Sequence, residues 1–203
     1  MKGSTIMWLE GFLRLRREGK KLLRTVHLSF VPDEEIGGID GMAKWVNESS
    51  FAALRVGLAL DEGLASGSDD PALVVFYGER APWWVEVKAE GPTGHGSRFV
   101  ENPATHRLLR TVAKFLSYRD TEEARLEAGK SCGATLGDVT TINLTVLSAG
   151  SAVNVVPSQA TAAFDIRIPP HVDLVAFRAL LDEWTSEEGV SYRFIQHTPA
   201  NPW

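Results

Sequence analysis

Three consecutive acidic residues follow the first apolar segment that the sequence predicts to be a strand. The stretch Pro32-Asp33-Glu34-Glu35-Ile36-Gly37-Gly38 leaves this strand at its carboxyl end, the edge at which α/β sheets bind ligands. Adjacent carboxylates are costly there unless they are solvated or bound to a cation. Because Glu34 and Glu35 point in different directions, one can bind a metal while the other reaches the metal-bound water. An acidic turn before two glycines is an equally good interpretation of the spacing alone.

A second acidic segment, Asp61-Glu62-Gly63, ends the next predicted strand. If the two strands are neighbours in a parallel sheet, the carboxylates of Glu35 and Glu62 meet at the same edge. Carboxylate and imidazole ligands at about 2.0–2.2 Å suit zinc. Either segment alone is a weak signal, and the pair is a stronger one.

Three polar residues in the second half of the chain are further candidates. His95 is flanked by glycines in Gly94-His95-Gly96, where it can donate a hydrogen bond to a developing oxyanion. Asn154 lies between two predicted strands, and Arg167 ends the second of them, offering a bidentate fork to a carboxylate. The alternatives are a loop histidine without a role, a structural asparagine, and an arginine in an ion pair with Asp165.

The elements that must position these residues form two groups. In the first group, apolar spacing predicts helices and strands in the order of a parallel α/β sheet. The predicted elements are a helix over 4–18, a short helix over 41–48, and strands over 24–31, 54–60 and 74–77.

The second group begins near residue 82, where the composition shifts. Its strands and helices follow the order β-α-β-β-α-β, the split βαβ of ferredoxin-like domains. The polar stretch 119–137 is predicted to be a disordered loop. The predicted strands cover 83–89, 139–147, 161–168 and 190–195, and the predicted helices cover 105–118 and 173–187.

The bulk composition excludes several classes of protein. The chain has 203 residues, of which 44% are hydrophobic and 23% charged, with a net charge of −5. This negative charge argues against nucleic acid or an anionic membrane as the main partner. There is no apolar stretch long enough for a transmembrane helix and no signal-peptide pattern. With the single cysteine, Cys132, no internal disulfide can form, and a cytoplasmic location is expected.

Taken together, these segments resemble a zinc metallopeptidase family that includes carboxypeptidase G-type enzymes and succinyl-diaminopimelate desuccinylase. The double glutamate, Gly94-His95-Gly96 and Asn154-Val155-Val156-Pro157 mark the family, and Glu79-Arg80-Ala81-Pro82-Trp83-Trp84 is similar to its aminoacylase branch. The resemblance covers nearly the whole chain. It implies a partial catalytic α/β domain over 1–81, an inserted ferredoxin-like dimerisation lid over 82–197, and a return to the catalytic domain over 198–203.

The resemblance also implies a reaction and a cofactor. The expected reaction is zinc-dependent hydrolysis of an N-acyl-L-amino acid to a carboxylate and a free amino acid. In this scheme Glu34 is the general base, while Glu35 and Glu62 each bind one of a pair of zinc ions. Zinc lowers the pKa of its bound water to about 7, which provides a nucleophile at neutral pH.

The remaining candidates receive substrate roles from the same resemblance. His95 reaches across a homodimer, formed through the edge strand and first helix of the lid, to polarise the scissile carbonyl. Asn154 helps to hold the substrate, and Arg167 binds its carboxylate. Open alternatives are a dipeptidase or N-succinyl-amino-acid hydrolase of the same family, and a non-catalytic dimerisation module.

The metal site of this family is only partly present in the sequence. The family also uses a histidine from an early strand, an aspartate directly before a Met-Lys pair, and a histidine from a C-terminal segment. Because the sequence runs from Met1-Lys2 to Trp203, the resemblance implies a fragment whose metal site is incomplete when the chain is alone.

Overall fold

The computed structural model describes residues 2–61, 76 and 78–198. The chain divides into two compact units, Met1–Val75 and Phe76–Trp203, called the N-terminal unit and the C-terminal unit below.

The described part of the N-terminal unit is built from short helices and irregular segments. Helix α1 covers Lys2–Arg17, α2 covers Met42–Trp45 and α3 covers Ser49–Leu54, and a 3-10 turn covers Glu34–Ile36. The helices predicted over 4–18 and 41–48 are therefore present. None of the residues in α1, α2 or α3 is buried.

The strands predicted over 24–31 and 54–60 are wrong, because residues 25–31 and 58–60 form no regular secondary structure. A strand exists only where a neighbouring segment pairs with its N–H and C=O groups. Within residues 2–61 no segment pairs with either stretch, so a parallel sheet does not form in the described part of this unit. The strand predicted over 74–77 lies outside the described residues, apart from Phe76.

The C-terminal unit contains a four-stranded antiparallel sheet with the strand order β3-β5-β1-β6. The first strand lies between the third and the last strand of this sheet, as a split βαβ unit requires. The mixed α/β class and the ferredoxin-like arrangement predicted from the sequence are thus confirmed. The elements are β1 (Ala81–Glu90), β2 (Gly94–His95), α4 (Ala104–Gly129), β3 (Thr141–Ala149), β4 (Val155–Val156), β5 (Gln159–Ile168), α5 (Leu174–Trp184) and β6 (Val190–His197).

Alternation along the two central strands determines where the core lies. In β1 every odd-numbered residue is buried, and in β5 every even-numbered one, so one face of the sheet is apolar and packs against α4 and α5. Phe115 of α4 stacks on Phe164 of β5, with ring centroids 4.2 Å apart. Each large apolar side chain buried in this way contributes about 1.5–3 kcal/mol.

Helix α4 extends well beyond the predicted helix over 105–118. It continues to Gly129 and is followed by 3-10 turns at Lys130–Cys132 and Leu136–Asp138, so the disordered loop predicted over 119–137 is wrong. The polar extension is held by Glu122, which is 6% exposed and accepts a hydrogen bond from the Thr140 N–H at 2.7 Å. Among the described residues, no helix is long and apolar enough to cross a membrane.

Candidate functional site

The acidic turn of the N-terminal unit presents both candidate glutamates to solvent. Asp33 before the turn and Gly37 after it have φ values of 56° and 103°, in the left-handed region that Asp and Gly visit most readily. The backbone is closed by Gly38 N–H, which donates to the Asp33 carbonyl at 2.8 Å. The side chains of Glu34 and Glu35 are exposed, so they are accessible to a ligand or a metal.

Asp33, which the sequence analysis did not single out, closes the loop that carries these glutamates. Its Oδ2 accepts a hydrogen bond from the Asp40 N–H at 2.7 Å. Its Oδ1 is buried without a hydrogen-bond partner in the described part of the chain. A Cβ on Gly41 would lie 2.5 Å from that oxygen, so glycine is required there.

A metal centre is not assembled by the described residues. Residues 2–61, 76 and 78–198 contain no group of three or more His, Cys, Asp or Glu side chains that could hold a metal ion. Glu62 lies outside the described residues. The carboxylates of Glu34 and Glu35 are of a type that zinc accepts, but the described residues bring too few donors together for a metal site.

The candidate histidine and asparagine are brought together by a short antiparallel ladder. In this ladder β2 pairs with β4, with His95 opposite Val155. The pairing continues where Gly96 N–H donates to the Asn154 carbonyl at 2.8 Å. The backbone of Asn154 therefore holds the loop that carries His95.

Glycines make this loop possible because the backbone passes close to its neighbours. A Cβ on Gly91 would lie 2.5 Å from Ala104 N and 2.9 Å from Pro103 C at the start of α4. A Cβ on Gly96 would lie 3.3 Å from the Asn154 carbonyl oxygen. The glycine flanks of the histidine thus reflect close packing of the loop.

The hydrogen bonds of His95 determine which nitrogen of its neutral ring carries the proton. Ser97 N–H donates to Nδ1 at 3.2 Å, and Ser97 Oγ lies 2.8 Å from the same nitrogen. A backbone N–H can only donate, so Nδ1 is an acceptor and the proton is on Nε2. The exposed imidazole consequently offers Nε2–H as a donor.

One edge of the Arg167 guanidinium is already hydrogen-bonded to a carboxylate. Arg167 Nε and Nη2 donate to the two carboxylate oxygens of Asp165 at 2.7 and 3.0 Å. This hydrogen bonding raises the pKa of Arg167 above its ordinary value. The ion pair that the sequence left open as an alternative is therefore present. Two of the five guanidinium N–H donors are used in this pair, which leaves three that Asp165 does not occupy.

A second arginine lies beside Arg167 and was noted in the sequence only as part of a branch motif. Arg80 precedes β1 and its Nη1 donates to Thr141 Oγ1 at 3.0 Å. Burial and the positive charge of Arg167, in that order, lower the pKa of Arg80. In the C-terminal unit the structure thus groups His95 with Asn154, and Arg80 with Asp165 and Arg167, while Glu34 and Glu35 belong to the N-terminal unit.

Comparison with known proteins finds one matching family and a set of similar sequences. The peptidase dimerisation domain matches residues 77–193. The chain is similar to aminoacylase-1 of Dictyostelium discoideum, with 51% identity over 99% of this chain and 51% of that protein. It is also similar to human aminoacylase-1, with 44% identity over 100% of this chain and 52% of that protein. The chain spans about half the length of the curated relatives it matches.

A weaker likeness links the chain to solved amidase structures. A hydantoinase/carbamoylase family amidase from Burkholderia ambifaria aligns with 60% of this chain and 29% of its own, with 16% identity and a TM-score of 0.40.

Proposed function

Because the chain belongs to the peptidase dimerisation domain family, we propose that the protein it represents is an amidohydrolase that cleaves N-acyl-L-amino acids to a carboxylate and a free amino acid. The observation that carries this proposal is the 51% identity to an aminoacylase-1 across 99% of the chain. The proposal includes a pair of zinc ions, for which Glu35 and Glu62 are two of the ligands in the complete protein. It also includes a cytoplasmic location.

In this proposal each candidate residue has a role that its accessible polar atoms can perform. Glu34, accessible on its turn, takes a proton from the attacking water and passes it to the leaving amine, as a general base and acid does. His95 donates from Nε2 to the developing oxyanion, because Ser97 holds Nδ1 as an acceptor. Asn154 holds the substrate next to His95, and Arg167 binds its carboxylate with the donors that Asp165 leaves free.

The proposal is tested with a hybrid enzyme based on the 51% identical aminoacylase-1. Residues 1–203 of this sequence replace the matching segment of the Dictyostelium discoideum aminoacylase-1, and the purified hybrid is assayed with N-acetyl-L-methionine, with metal content measured on the same sample. Hydrolysis together with bound zinc supports the proposal. A folded hybrid without activity contradicts it, and faster cleavage of a dipeptide favours the dipeptidase alternative.

The hybrid also tests the assignment of the general base. Glu34→Gln is expected to lower kcat by about 10²–10⁴-fold with unchanged zinc content, because a positioned base contributes on that scale. Glu48→Gln changes another exposed glutamate of the same unit and should leave kcat as it was. A Glu34→Gln hybrid with full activity would remove Glu34 as the base.

We further propose that two copies associate through the C-terminal unit, at the edge strand β3 and helix α4. Strand β3 has one neighbour in the sheet, and residues 145–149 along it are exposed. The apolar side chains of Val146 and Leu147 are 54% and 56% exposed. An unpaired edge of this kind pairs readily with a second chain.

Light scattering after gel filtration tests this contact. Leu147→Lys is expected to convert the purified chain to a monomer, because it places a charge in the apolar part of the edge. Ser191→Lys adds the same charge to β6 at the opposite edge and should leave the dimer intact. A monomeric wild-type chain, or a Leu147→Lys dimer, would contradict this assignment.

A further inference from the structure

The face of the C-terminal sheet that α4 and α5 leave uncovered carries an apolar depression. The even-numbered residues of β1 and the odd-numbered residues of β5 lie on this face. Between them is a cavity of about 280 Å³, whose lining includes Trp84, Val146, Ala163, Asp165 and Ile195. Trp84 and Ile195 are 38% and 52% exposed, so they are accessible to a ligand. A concave, mainly apolar site with a polar group at one end is the usual form of a small-molecule pocket.

An irregularity in the pairing of β3 shapes one side of this cavity. Leu144 is opposite Phe164, and Val146 is opposite Ala163, so Thr145 is an extra residue in a β-bulge. In a regular strand Val146 would lie on the same face as Leu144, the face that the helices cover. The bulge instead places Val146 beside Ala163 on the uncovered face. It is anchored by Thr145 Oγ1, which donates to the Ala163 carbonyl at 3.1 Å.

A second bulge shapes the opposite side. In the pairing of β1 with β6, Trp84 is opposite Gln196 and Val85 is opposite Phe194, so Ile195 is the extra residue there. Bulges are frequent next to binding sites, where they re-aim a side chain. Here both edge strands of the sheet are bulged where they line one cavity. This arrangement indicates a built site rather than an accidental gap between side chains.

The polar end of the cavity sets the orientation of a ligand. Asp165 lines this end, and both oxygens of its carboxylate accept hydrogen bonds from Arg167 at 2.7 and 3.0 Å. Arg167 is two residues further along the same face of β5, which is about 7 Å at the rise of a strand. A negative group inside the cavity would lose its hydration and be repelled by Asp165, whereas at Arg167 it meets guanidinium N–H groups. The ligand that fits both parts has an apolar end and an anionic end.

We propose that this cavity is the subsite for the side chain of the substrate's amino acid, an inference that rests on the proposed function. With the substrate carboxylate at Arg167, the side chain extends along β5 over Ala163 and lies between Trp84 and Ile195. The subsite takes a neutral apolar side chain and disfavours both glycine, which leaves the cavity empty, and acidic side chains, which Asp165 repels. Trp84, Ala163 and Ile195 are then specificity-determining residues.

The test is an NMR binding titration on the purified 203-residue chain. The probes are N-acetyl-L-methionine, N-acetylglycine, N-acetyl-L-glutamate and N-octanoylglycine, and the indole N–H signal of Trp84, assigned with Trp84→Phe, reports occupancy. N-acetyl-L-methionine should bind at least about tenfold more tightly than N-acetylglycine, because it buries an apolar side chain. N-acetyl-L-glutamate should bind no more tightly than N-acetylglycine.

Two substitutions change the cavity from different sides. Ala163→Leu fills it from the floor and should lower the affinity for N-acetyl-L-methionine to that for N-acetylglycine, whose own affinity should change by less than about twofold. Ile195→Ala removes one wall and should weaken binding of N-acetyl-L-methionine alone by at least about threefold. Thr161→Leu is the matched control. It adds a leucine to the same face of β5, two residues from Ala163 and on the side away from Asp165, and should leave both affinities unchanged.

The outcomes separate this inference from the proposed function. Equal affinities of the wild-type chain for N-acetyl-L-methionine and N-acetylglycine, or no saturable binding of either, overturn the subsite, and the hybrid-enzyme assay then judges the function on its own. Tighter binding of N-octanoylglycine that Ala163→Leu abolishes assigns the cavity to the acyl chain and overturns the side-chain assignment. If Ala163→Leu does not fold, Ile195→Ala decides, and unchanged selectivity in that variant overturns the inference. The expected selectivity together with an inactive hybrid supports the subsite and contradicts the function.

Discussion

The two units of the chain differ most in what they bury. Every buried hydrophobic side chain among the described residues lies at Ala81 or beyond. In the N-terminal unit, by contrast, Leu58 and Leu60 are 78% and 81% exposed, and Leu23 is fully exposed. Each strand of the four-stranded sheet in the C-terminal unit pairs with at least one other strand of that unit, whereas within residues 2–61 no segment forms a strand with the apolar stretches 25–31 and 58–60. The stability of the chain is therefore concentrated in the C-terminal unit.

A pair of phenylalanine substitutions tests this contrast with the largest expected effect. Phe164→Ala should lower the free energy of unfolding by about 3–5 kcal/mol, because it removes a buried ring that stacks on Phe115. Phe30→Ala in the N-terminal unit should cost less than about 0.5 kcal/mol, because Phe30 is 60% exposed. Urea denaturation followed by near-ultraviolet circular dichroism measures both. An equal loss from Phe30→Ala would show that the N-terminal unit packs cooperatively.

Within the C-terminal unit, a buried glutamate can be compared with an exposed one on the same helix. Glu122→Gln should lower the free energy of unfolding by about 1–3 kcal/mol, because Glu122 accepts the Thr140 N–H and pairs with Arg125 at 3.2 Å. Glu123→Gln is the control, since that side chain is exposed and forms a surface pair with Arg119. Its cost should be below about 0.5 kcal/mol in the same urea experiment. Equal effects would mean that the second half of α4 is not held by Glu122.

The smallest expected effect concerns pH. His197 packs against Trp83 and Phe194, with ring centroids 4.9 and 4.3 Å away. Burial, followed by the positive charge of Arg178, lowers the pKa of His197 below its ordinary value of 6.5. The folded state then binds fewer protons than the unfolded state. The stabilising contribution is present above that ordinary value and is lost as the pH falls below it.

Denaturation curves between about pH 7.5 and 5 test this sign. His197→Gln should flatten the loss of stability toward low pH, whereas His27→Gln, which changes an exposed histidine of the N-terminal unit, should leave it as in the wild type. A slope that is unchanged in His197→Gln would exclude this histidine as its source.

The same contrast explains how well the sequence predicted each unit. In the C-terminal unit, period-two alternation in β1 and β5 gave strands close to their observed bounds, because each apolar position meets a partner in the same unit. In the N-terminal unit the apolar run 24–31 carries the same signal and forms no strand. Strand propensity reports fitness for a half-buried sheet position, and such a position has to be created by neighbours.

The candidate site residues also differ in how well the sequence predicted them. The sequence analysis placed Glu34 and Glu35 at the end of a strand that does not form, with an acidic turn as the alternative, and it is this turn that the structure contains. It placed His95 in a loop between glycines, a feature that depends on local backbone conformation. It missed Arg80 as a neighbour of Arg167, because the two are far apart in sequence and meet only through the order of the strands. It also missed Asp33, whose buried oxygen depends on the close approach of Gly41.

The sequence by itself determined the ferredoxin-like order of elements, the acidic segment at Asp33–Glu35 and the histidine between two glycines, because local spacing and backbone freedom specify them. Only the tertiary structure decided the length of α4, the absence of strands from residues 2–61, and the cluster of Arg80, Asp165 and Arg167. The physical reason is that burial, backbone pairing and charge balance depend on which distant groups come together, and a linear pattern does not contain that information.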